Sequence, residues 1–328
     1  WEYHSPLVEV KDRQSNFDPF TGKLLLAGQD GNSRALYEPF KRDWQPRVGF
    51  AWTPAMLGKK TVIRGAYTIS SFMEGTGTNL RLPLNPPFNT EFETIYEGDV
   101  ALGSTTDQGL TVLRSADPYR GINVRLWDPF LRPAHTQQWN LTIEQQLPAA
   151  NVLSVGYVGQ KGTHLVVPMP YFQRRLLPNG QVEPSPYLAQ NPDLSAIAQI
   201  SGTESNGNQR YDSLQVTLRK RFAYGLEYQL AYTWSHGMSD AIGYYGEGGQ
   251  AGSQSAYWQN LFDRKAEWGP TYFDVRHSMV FSYVYDLPFG KGKTFGNAWD
   301  PVVSHILGNR QMGGILSLHT GFPLTITG

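Results

Sequence analysis

The chain has 328 residues, no cysteine, and equal numbers of basic (28) and acidic (28) side chains. The balanced charge gives no reason to expect nucleic acid as a partner, and the lack of cysteine excludes disulfides, thiolate metal sites and thiol nucleophiles. Charged residues make up only 17% of the chain and aromatic residues 13%, which is typical of an aromatic-rich β protein and not of a helical enzyme.

Alternation of apolar and polar side chains predicts about eight β-strands along the chain. In chain order they lie at residues 48–52, 63–69, 139–147, 153–157, 213–222, 225–235, 279–285 and 316–318, with a possible strand end in residues 1–10. No apolar run reaches the roughly 18 residues of a transmembrane helix. The predicted fold class is therefore all-β.

Residues 225–235 show the clearest alternation. The apolar side chains of Leu226, Leu230 and Trp234 would share one face of this strand, while Glu227 and Gln229 would share the other. Several predicted strands reach about ten residues, the length that a tilted strand needs to cross a bilayer. Alternation by itself is equally typical of a half-buried strand in a soluble sheet.

The connections between the predicted strands fall into two length classes. Short turns are predicted at residues 53–59, 148–151 and 223–225, long links at about 71–134, 166–209 and 237–273, and one medium link at about 288–310. Short and long connections alternate, which is typical of an antiparallel up-and-down transmembrane β-barrel with short periplasmic turns and long outer loops. Long links of this size are uncommon in a compact soluble domain.

Nine short sequence runs carry a resemblance to a known family. They occur in order along the chain, at residues 16–23, 44–52, 137–142, 156–165, 211–216, 232–235, 273–277, 285–292 and 321–325, and the strongest reads Phe273-Asp274-Val275-Arg276-His277. Together they resemble the barrel region of TonB-dependent outer-membrane receptors, specifically the Oar-like branch. In that branch a carboxypeptidase-regulatory-like domain precedes a plug and a barrel.

This resemblance implies a barrel of about 22 strands that is filled by a plug. Because both ends of the chain look cut, residues 1–328 would be part of a single outer-membrane β-barrel domain and would supply about eight or nine of its strands. The plug domain and the C-terminal strands would lie outside the chain. The resemblance also implies the outer membrane of a Gram-negative (diderm) bacterium, with outer-membrane lipid as one partner and TonB, through a plug segment, as another.

The function that the resemblance implies is energy-coupled uptake of an unknown ligand by a TonB-dependent receptor or transporter. Two alternatives stay open. One is a structural or adhesive outer-membrane barrel without transport, and the other is a secreted soluble β-rich enzyme. A plug-like domain before residue 1 would favour transport over adhesion, and extraction behaviour would separate both membrane proteins from the soluble enzyme.

No motif in the sequence indicates catalysis, a metal or a cofactor. The chain has no H-E-x-x-H, G-x-S-x-G or P-loop pattern, and its 7 histidines include no pair at i, i+4 spacing. The loop carboxylates have no fixed separation of the kind that a glycosidase pair requires. We therefore expect no enzyme activity, no metal site and no cofactor.

Two sets of candidate binding residues follow from the barrel interpretation. The first set would face the lumen, where it would either hold a plug or, as the less favoured alternative, contact a passing substrate: Arg47, Arg64, Glu144, Gln215, Arg219, Glu227 and Gln229. The second set consists of aromatic residues of the long links, namely Trp127, Tyr244, Tyr245 and Trp258. These aromatics would either anchor a ligand or partner at the outer side or pack the links on one another.

Overall fold

The computed structural model describes residues 1–73, 81–89, 95–97, 100–102, 122–171, 173–187, 197, 199–241 and 258–324. The strands are, in chain order, β1 (Glu2–His4), β2 (Ser15–Asp18), β3 (Lys23–Leu26), β4 (Phe40–Asp43), β5 (Arg47–Trp52), β6 (Thr61–Phe72), β7 (Ile95–Glu97), β8 (Val100–Leu102), β9 (Asn123–Trp127), β10 (Ala134–Leu147), β11 (Asn151–Pro170), β12 (Arg175–Leu176), β13 (Val182–Glu183), β14 (Gln199–Ala223), β15 (Leu226–Ser239), β16 (Gly269–Pro270), β17 (His277–Asp286) and β18 (Gln311–His319). The helical elements whose bounds lie within these residues are an α-helix, α1 (Pro301–Leu307), and 3₁₀ turns at Ala55–Leu57, Leu82–Leu84 and Arg264–Glu267. Within these residues no helix combines the length and the apolar character needed to cross a bilayer.

Eight long strands form one antiparallel sheet, which we call the wall. Its order, β5-β6-β10-β11-β14-β15-β17-β18, follows the chain, and every neighbouring pair is antiparallel. The predicted antiparallel all-β fold is thus confirmed. In the part of the chain that the structure describes, β5 and β18 do not pair with each other, so the wall is an open section of a barrel.

The two ends of the wall differ in their connections. At one end, the short-turn rim, β5 is joined to β6, β10 to β11 and β14 to β15 by brief turns, and β17 is joined to β18 by the segment that contains α1. At the other end, the long-link rim, the long segments leave and return. The predicted alternation of short and long connections is present. Because each strand runs antiparallel to its neighbour, alternate connections lie at opposite ends of the wall, and the long links share one rim.

One face of the wall carries an exposed apolar belt. Leu141, Tyr157, Leu214 and Trp234 lie side by side in one row across four strands, and each remains 36–52% exposed. Residues 139–147 of β10 span about 30 Å along the strand, and a tilted strand of that length matches the roughly 25 Å apolar band of outer-membrane barrels. Such a surface requires lipid as its solvent.

The limits of the belt are marked by residues that suit a membrane–water interface. Trp139 and Tyr67 are paired in the row nearest the long-link rim, and Tyr228 and Tyr283 are paired in the row nearest the short-turn rim. Lys220, which interrupts the apolar pattern of its strand, lies opposite Tyr228 in this last row. Its ammonium group lies 5.6 Å from the ring centroid of Tyr224, so its charge sits at the rim and not in the apolar interior.

Beyond the belt, at the long-link rim, the apolar side chains are buried inside the protein and are not exposed on its surface. Here β11 and β14 continue as a pair up to Pro170 and Ser201, and β9 joins β14 in parallel. Their apolar side chains are buried in two clusters together with residues from β2, β3 and the links; the members below 2% exposure include Phe17, Val124, Trp127, Leu131, Val167, Met169 and Ile200. The hydrophobic core of the chain therefore lies outside the membrane-spanning part of the wall.

This extension changes the predicted link boundaries. Both ends of the predicted link 166–209 are strand, because β11 ends at Pro170 and β14 begins at Gln199. The predicted link 71–134 contains β7, β8 and β9, and the predicted link 237–273 contains β16 and a 3₁₀ turn. Strands that are buried on both faces lose the period-two pattern, which is why alternation stopped short of their ends.

Candidate functional site

The face of the wall opposite the belt is polar, and it holds all seven residues of the first candidate set. Arg64 lies opposite Thr142, Gln215 opposite Thr233, and Arg219 opposite Gln229. Directly opposed residues of antiparallel strands project from the same face, and residues two apart on one strand do so too. The remaining members join the same face by these rules: Arg47 opposite Thr68, Glu144 opposite Ser154, and Glu227 opposite Val284.

This polar face carries charges of both signs. Three of its residues, Arg219, Glu227 and Gln229, line an open groove of about 610 Å³ together with residues of β17 and β18 that include Ser282, Val284 and Ile315. A surface with mixed charge and hydrogen-bonding groups is suited to contact with water or with another polar surface. It is the pattern of a barrel interior. Contact with a plug or a substrate stays a prediction.

The second candidate set is divided by the structure. Trp127 is 1% and Trp258 is 4% exposed, so both tryptophans belong to the buried core of the long-link rim. This placement disagrees with the expectation that they form exposed anchors, and it agrees with the alternative that the aromatics pack the links on one another. Tyr244 and Tyr245 lie outside the described residues.

The two tryptophans hold the long-link segments in place. The ring of Tyr37 lies 6.0 Å from that of Trp127, in the cluster that also contains Val166 of β11. Trp258 donates a hydrogen bond of 2.6 Å from Nε1 to the backbone carbonyl of Asp240. The guanidinium of Arg264 lies 5.1 Å from the centroid of the Trp258 ring, close enough for a cation–π interaction.

A largely buried carboxylate, Glu204, whose side chain is 14% exposed, lies where β14 extends beyond the belt. It accepts hydrogen bonds from the Tyr171 hydroxyl and the Asn206 side-chain amide, and Arg264 lies 3.6 Å away. Burial raises the pKa of Glu204 above its ordinary value, although the charge of Arg264 opposes this shift. Arg264 thus links β14 to the segment that carries Trp258, and Tyr171 links β14 to the end of β11.

A cluster that the sequence did not indicate lies at the same rim. His4 of β1 and Asp43 at the end of β4 are in contact, with Nε2 of the histidine 2.6 Å from Oδ2 of the carboxylate. His135 at the start of β10 approaches the other oxygen of Asp43, with 3.1 Å between Nε2 and Oδ1. Glu2 completes a group in which its own carboxylate, His4 and Asp43 offer ligand atoms within 4.8 Å of one another.

Spacing rules could not have found this cluster. His4 and Asp43 are 39 residues apart, and they meet because β1 pairs with β4, with Glu2 opposite Asp43. A sequence search for metal sites depends on histidines or carboxylates at short, regular spacing on one helix or loop. Here the residues come from three strands, β1, β4 and β10. Our expectation of no metal site rested on the absence of regularly spaced ligands in the sequence, and a cluster of this kind has no such spacing.

The comparisons with known proteins were consistent with a membrane wall. The sequence profile described as "Outer membrane beta barrel domain" matches residues 1–328. A search of curated protein sequences found no match.

Two solved structures are similar to the chain at low identity. A chain in the structure of the FpvAI–pyocin S2 complex is 10% identical, with a TM-score of 0.35 over 77% of this chain and 22% of that one. The outer membrane transporter YddB from Escherichia coli is 10% identical, with a TM-score of 0.39 over 69% of this chain and 24% of that one. The chain thus spans about a quarter or less of the length of either protein.

Proposed function

The chain belongs to the outer membrane β-barrel domain family and is a protein of the Gram-negative outer membrane, and from this we propose that it is a barrel segment of a TonB-dependent receptor of the Oar-like branch. In this proposal the receptor takes up a ligand with energy supplied through TonB. The chain contributes the wall and the long-link rim, and a plug segment makes the contact with TonB. The proposal assigns the chain no catalytic reaction.

The observation that supports this proposal best is the two-faced wall. Its outer face is an exposed apolar belt, while its inner face carries Arg64, Glu144, Arg219 and Glu227. A small closed barrel fills its interior with its own side chains, whereas large barrels enclose a polar lumen or a plug. A polar face with charges of both signs is suited to hold a plug reversibly, because surface ion pairs are individually weak.

The facing of the wall is tested directly by cysteine labelling. The natural chain has no cysteine, so each introduced thiol is the only target in this region. In the full-length protein in native outer membranes, we expect a membrane-impermeant maleimide to label Gln229→Cys once the plug is displaced by urea. The neighbouring control Leu230→Cys should remain unlabelled. Equal labelling at the two positions would contradict the lumen assignment.

The role in energy-coupled uptake is tested by binding to TonB. The purified full-length receptor in detergent micelles should bind the periplasmic C-terminal domain of TonB, measured by surface plasmon resonance. A variant without the plug segment should not bind. If the intact receptor shows no binding, the transport proposal fails, and a structural or adhesive barrel becomes the better account.

A further inference from the structure

The cluster around Asp43 has an unusual hydrogen-bonding pattern. The side chain of Asp43 is fully buried, yet its Oδ1 has no hydrogen-bond partner of acceptable geometry. The same is true of the buried Nε2 of His135, although the two atoms are only 3.1 Å apart. The hydroxyl of Ser71, which lies opposite His135 and beside Asp43, is a third buried polar atom here without a partner of good geometry. Buried polar atoms without partners are costly, and a ligand shared by Asp43 and His135 would offset that cost.

The separation of these atoms is close to that of two ligands of one metal ion. Ligands that bind a metal at about 2.0–2.2 Å in tetrahedral geometry lie roughly 3.2–3.6 Å from each other. A direct hydrogen bond between Nε2 and Oδ1 would instead require the N–H of His135 to point at the oxygen. The contact of His135 with Asp43, at 3.1 Å, lies just below this range and lacks the geometry of a hydrogen bond. The 2.6 Å contact of His4 with Asp43 is a hydrogen bond, which a bound metal would replace.

We propose that Glu2, His4 and Asp43, whose ligand atoms lie within 4.8 Å of one another, form a site for a divalent transition-metal ion of the Zn²⁺ class at the long-link rim, and that His135, beside Asp43, completes it. Two imidazoles and two carboxylates make a set of four nitrogen and oxygen donors, which suits Zn²⁺ better than Ca²⁺ or Mg²⁺, since the latter two prefer oxygen alone. This inference is independent of whether the barrel transports anything.

The residues around the four ligands fit this assignment. Gln45 donates from Nε2 to Glu2 at 2.7 Å and to Asp43 at 3.2 Å, so one amide orients both carboxylates. Metal ligands are commonly held by such outer contacts. Access is open as well, because Glu2 is exposed and the side chain of His4 is 12% exposed, while Asp43 forms the closed end of the site.

Metal binding would fasten β1 to the wall. In the pair β1–β4 the register shifts between Glu2 and His4, and both strands are short, so few backbone bonds hold β1. A metal bound by residues of β1, β4 and β10 would join three segments that are distant in the chain. Such binding contributes to stability because the ligands are not held together in the unfolded chain.

The test uses the full-length protein in detergent micelles after removal of metals with a chelator. Titration with Zn²⁺ in a calorimeter should show a site whose affinity falls at least about tenfold in His4→Gln and in Asp43→Asn. His305→Gln is the matched control, because His305 is exposed on α1 at the opposite rim. It should leave the titration unchanged.

A second measurement addresses the case in which Asp43→Asn does not fold. Glu2→Gln changes only an exposed side chain, so it should fold and still weaken Zn²⁺ binding. In the unmodified protein, Zn²⁺ should slow hydrogen exchange of the β1 amides, and this protection should be lost in His4→Gln. Equal Zn²⁺ affinity and equal β1 protection in the natural protein, His4→Gln and Glu2→Gln would overturn the proposal.

Discussion

The side-chain amide of Asn16 forms hydrogen bonds with both backbone groups of Trp127. Its Nδ2 donates to the Trp127 carbonyl at 2.8 Å, and its Oδ1 accepts from the Trp127 N–H at 2.9 Å. Asn85 repeats the arrangement two residues earlier, with both of its bonds to Arg125 at 2.7 Å. One edge of β9 pairs with β14. At the other edge, the two asparagines form the backbone hydrogen bonds that a neighbouring strand would otherwise form.

We expect Asn16→Asp to loosen this edge of β9. A carboxylate has the same shape as the amide but cannot donate to the Trp127 carbonyl, and burial at this position opposes its charge. Leaving a buried polar group unsatisfied costs about 1–3 kcal/mol. The measurement is hydrogen exchange of the β9 amides in the refolded full-length protein. The exposed Asn179→Asp is the control, and equal exchange rates in the two variants would contradict the role assigned to Asn16.

An arginine on the belt should be far more damaging than one on the polar face. Leu230 lies in the belt, opposite Leu218 and Phe281. Leu230→Arg should lower the free energy of unfolding in lipid vesicles by about 2–4 kcal/mol, the value for a lipid-facing cation near mid-bilayer. Thr233→Arg on the same strand is the control, because Gln215 and Ser278 lie opposite it. Equal losses in a urea titration would show that the belt does not face lipid.

The turn between β10 and β11 contains two alanines in a strained backbone conformation, so a substitution there can stabilise the protein. Ala149 and Ala150 have φ values of 57° and 61°, a left-handed conformation that costs a residue with a Cβ about 1–2 kcal/mol. Since glycine avoids this strain but loses more entropy on folding, Ala150→Gly should raise stability by about 0.5–1 kcal/mol. In the same urea titration, the control Ala66→Gly, placed within β6, should be destabilising. A loss of stability in both variants would argue against the strained turn.

The largely buried Glu204 should make the long-link rim sensitive to pH. Its pKa is raised in the folded protein because of burial, so the folded state binds a proton more tightly than the unfolded state. The contribution to stability is therefore largest below the ordinary carboxyl pKa of 4.5 and declines as pH rises through the higher folded value. Hydrogen exchange of β14 amides, followed from acid to neutral pH, should show this decline in the natural protein. The decline should disappear in Glu204→Gln; its persistence there would assign it to another group.

The membrane-spanning wall was predictable from the sequence because its signal is local. Lipid on one face and polar surroundings on the other force side chains to alternate along each strand, so the apolar row from Leu226 to Trp234 could be assigned to one face without knowledge of its neighbours. The short turns then fixed antiparallel pairing in chain order, and the structure has this order.

Tertiary structure alone decided what lies beyond the belt. Where β11 and β14 are covered on both faces, alternation no longer distinguishes strand from link, and Trp127 and Trp258 are buried by segments that are remote in the chain. The contact of His4 with Asp43 and His135 depends on the pairing of β1 with β4 and on the start of β10. Such contacts are invisible to sequence spacing, because their energies come from groups that only the folded chain brings within reach of one another.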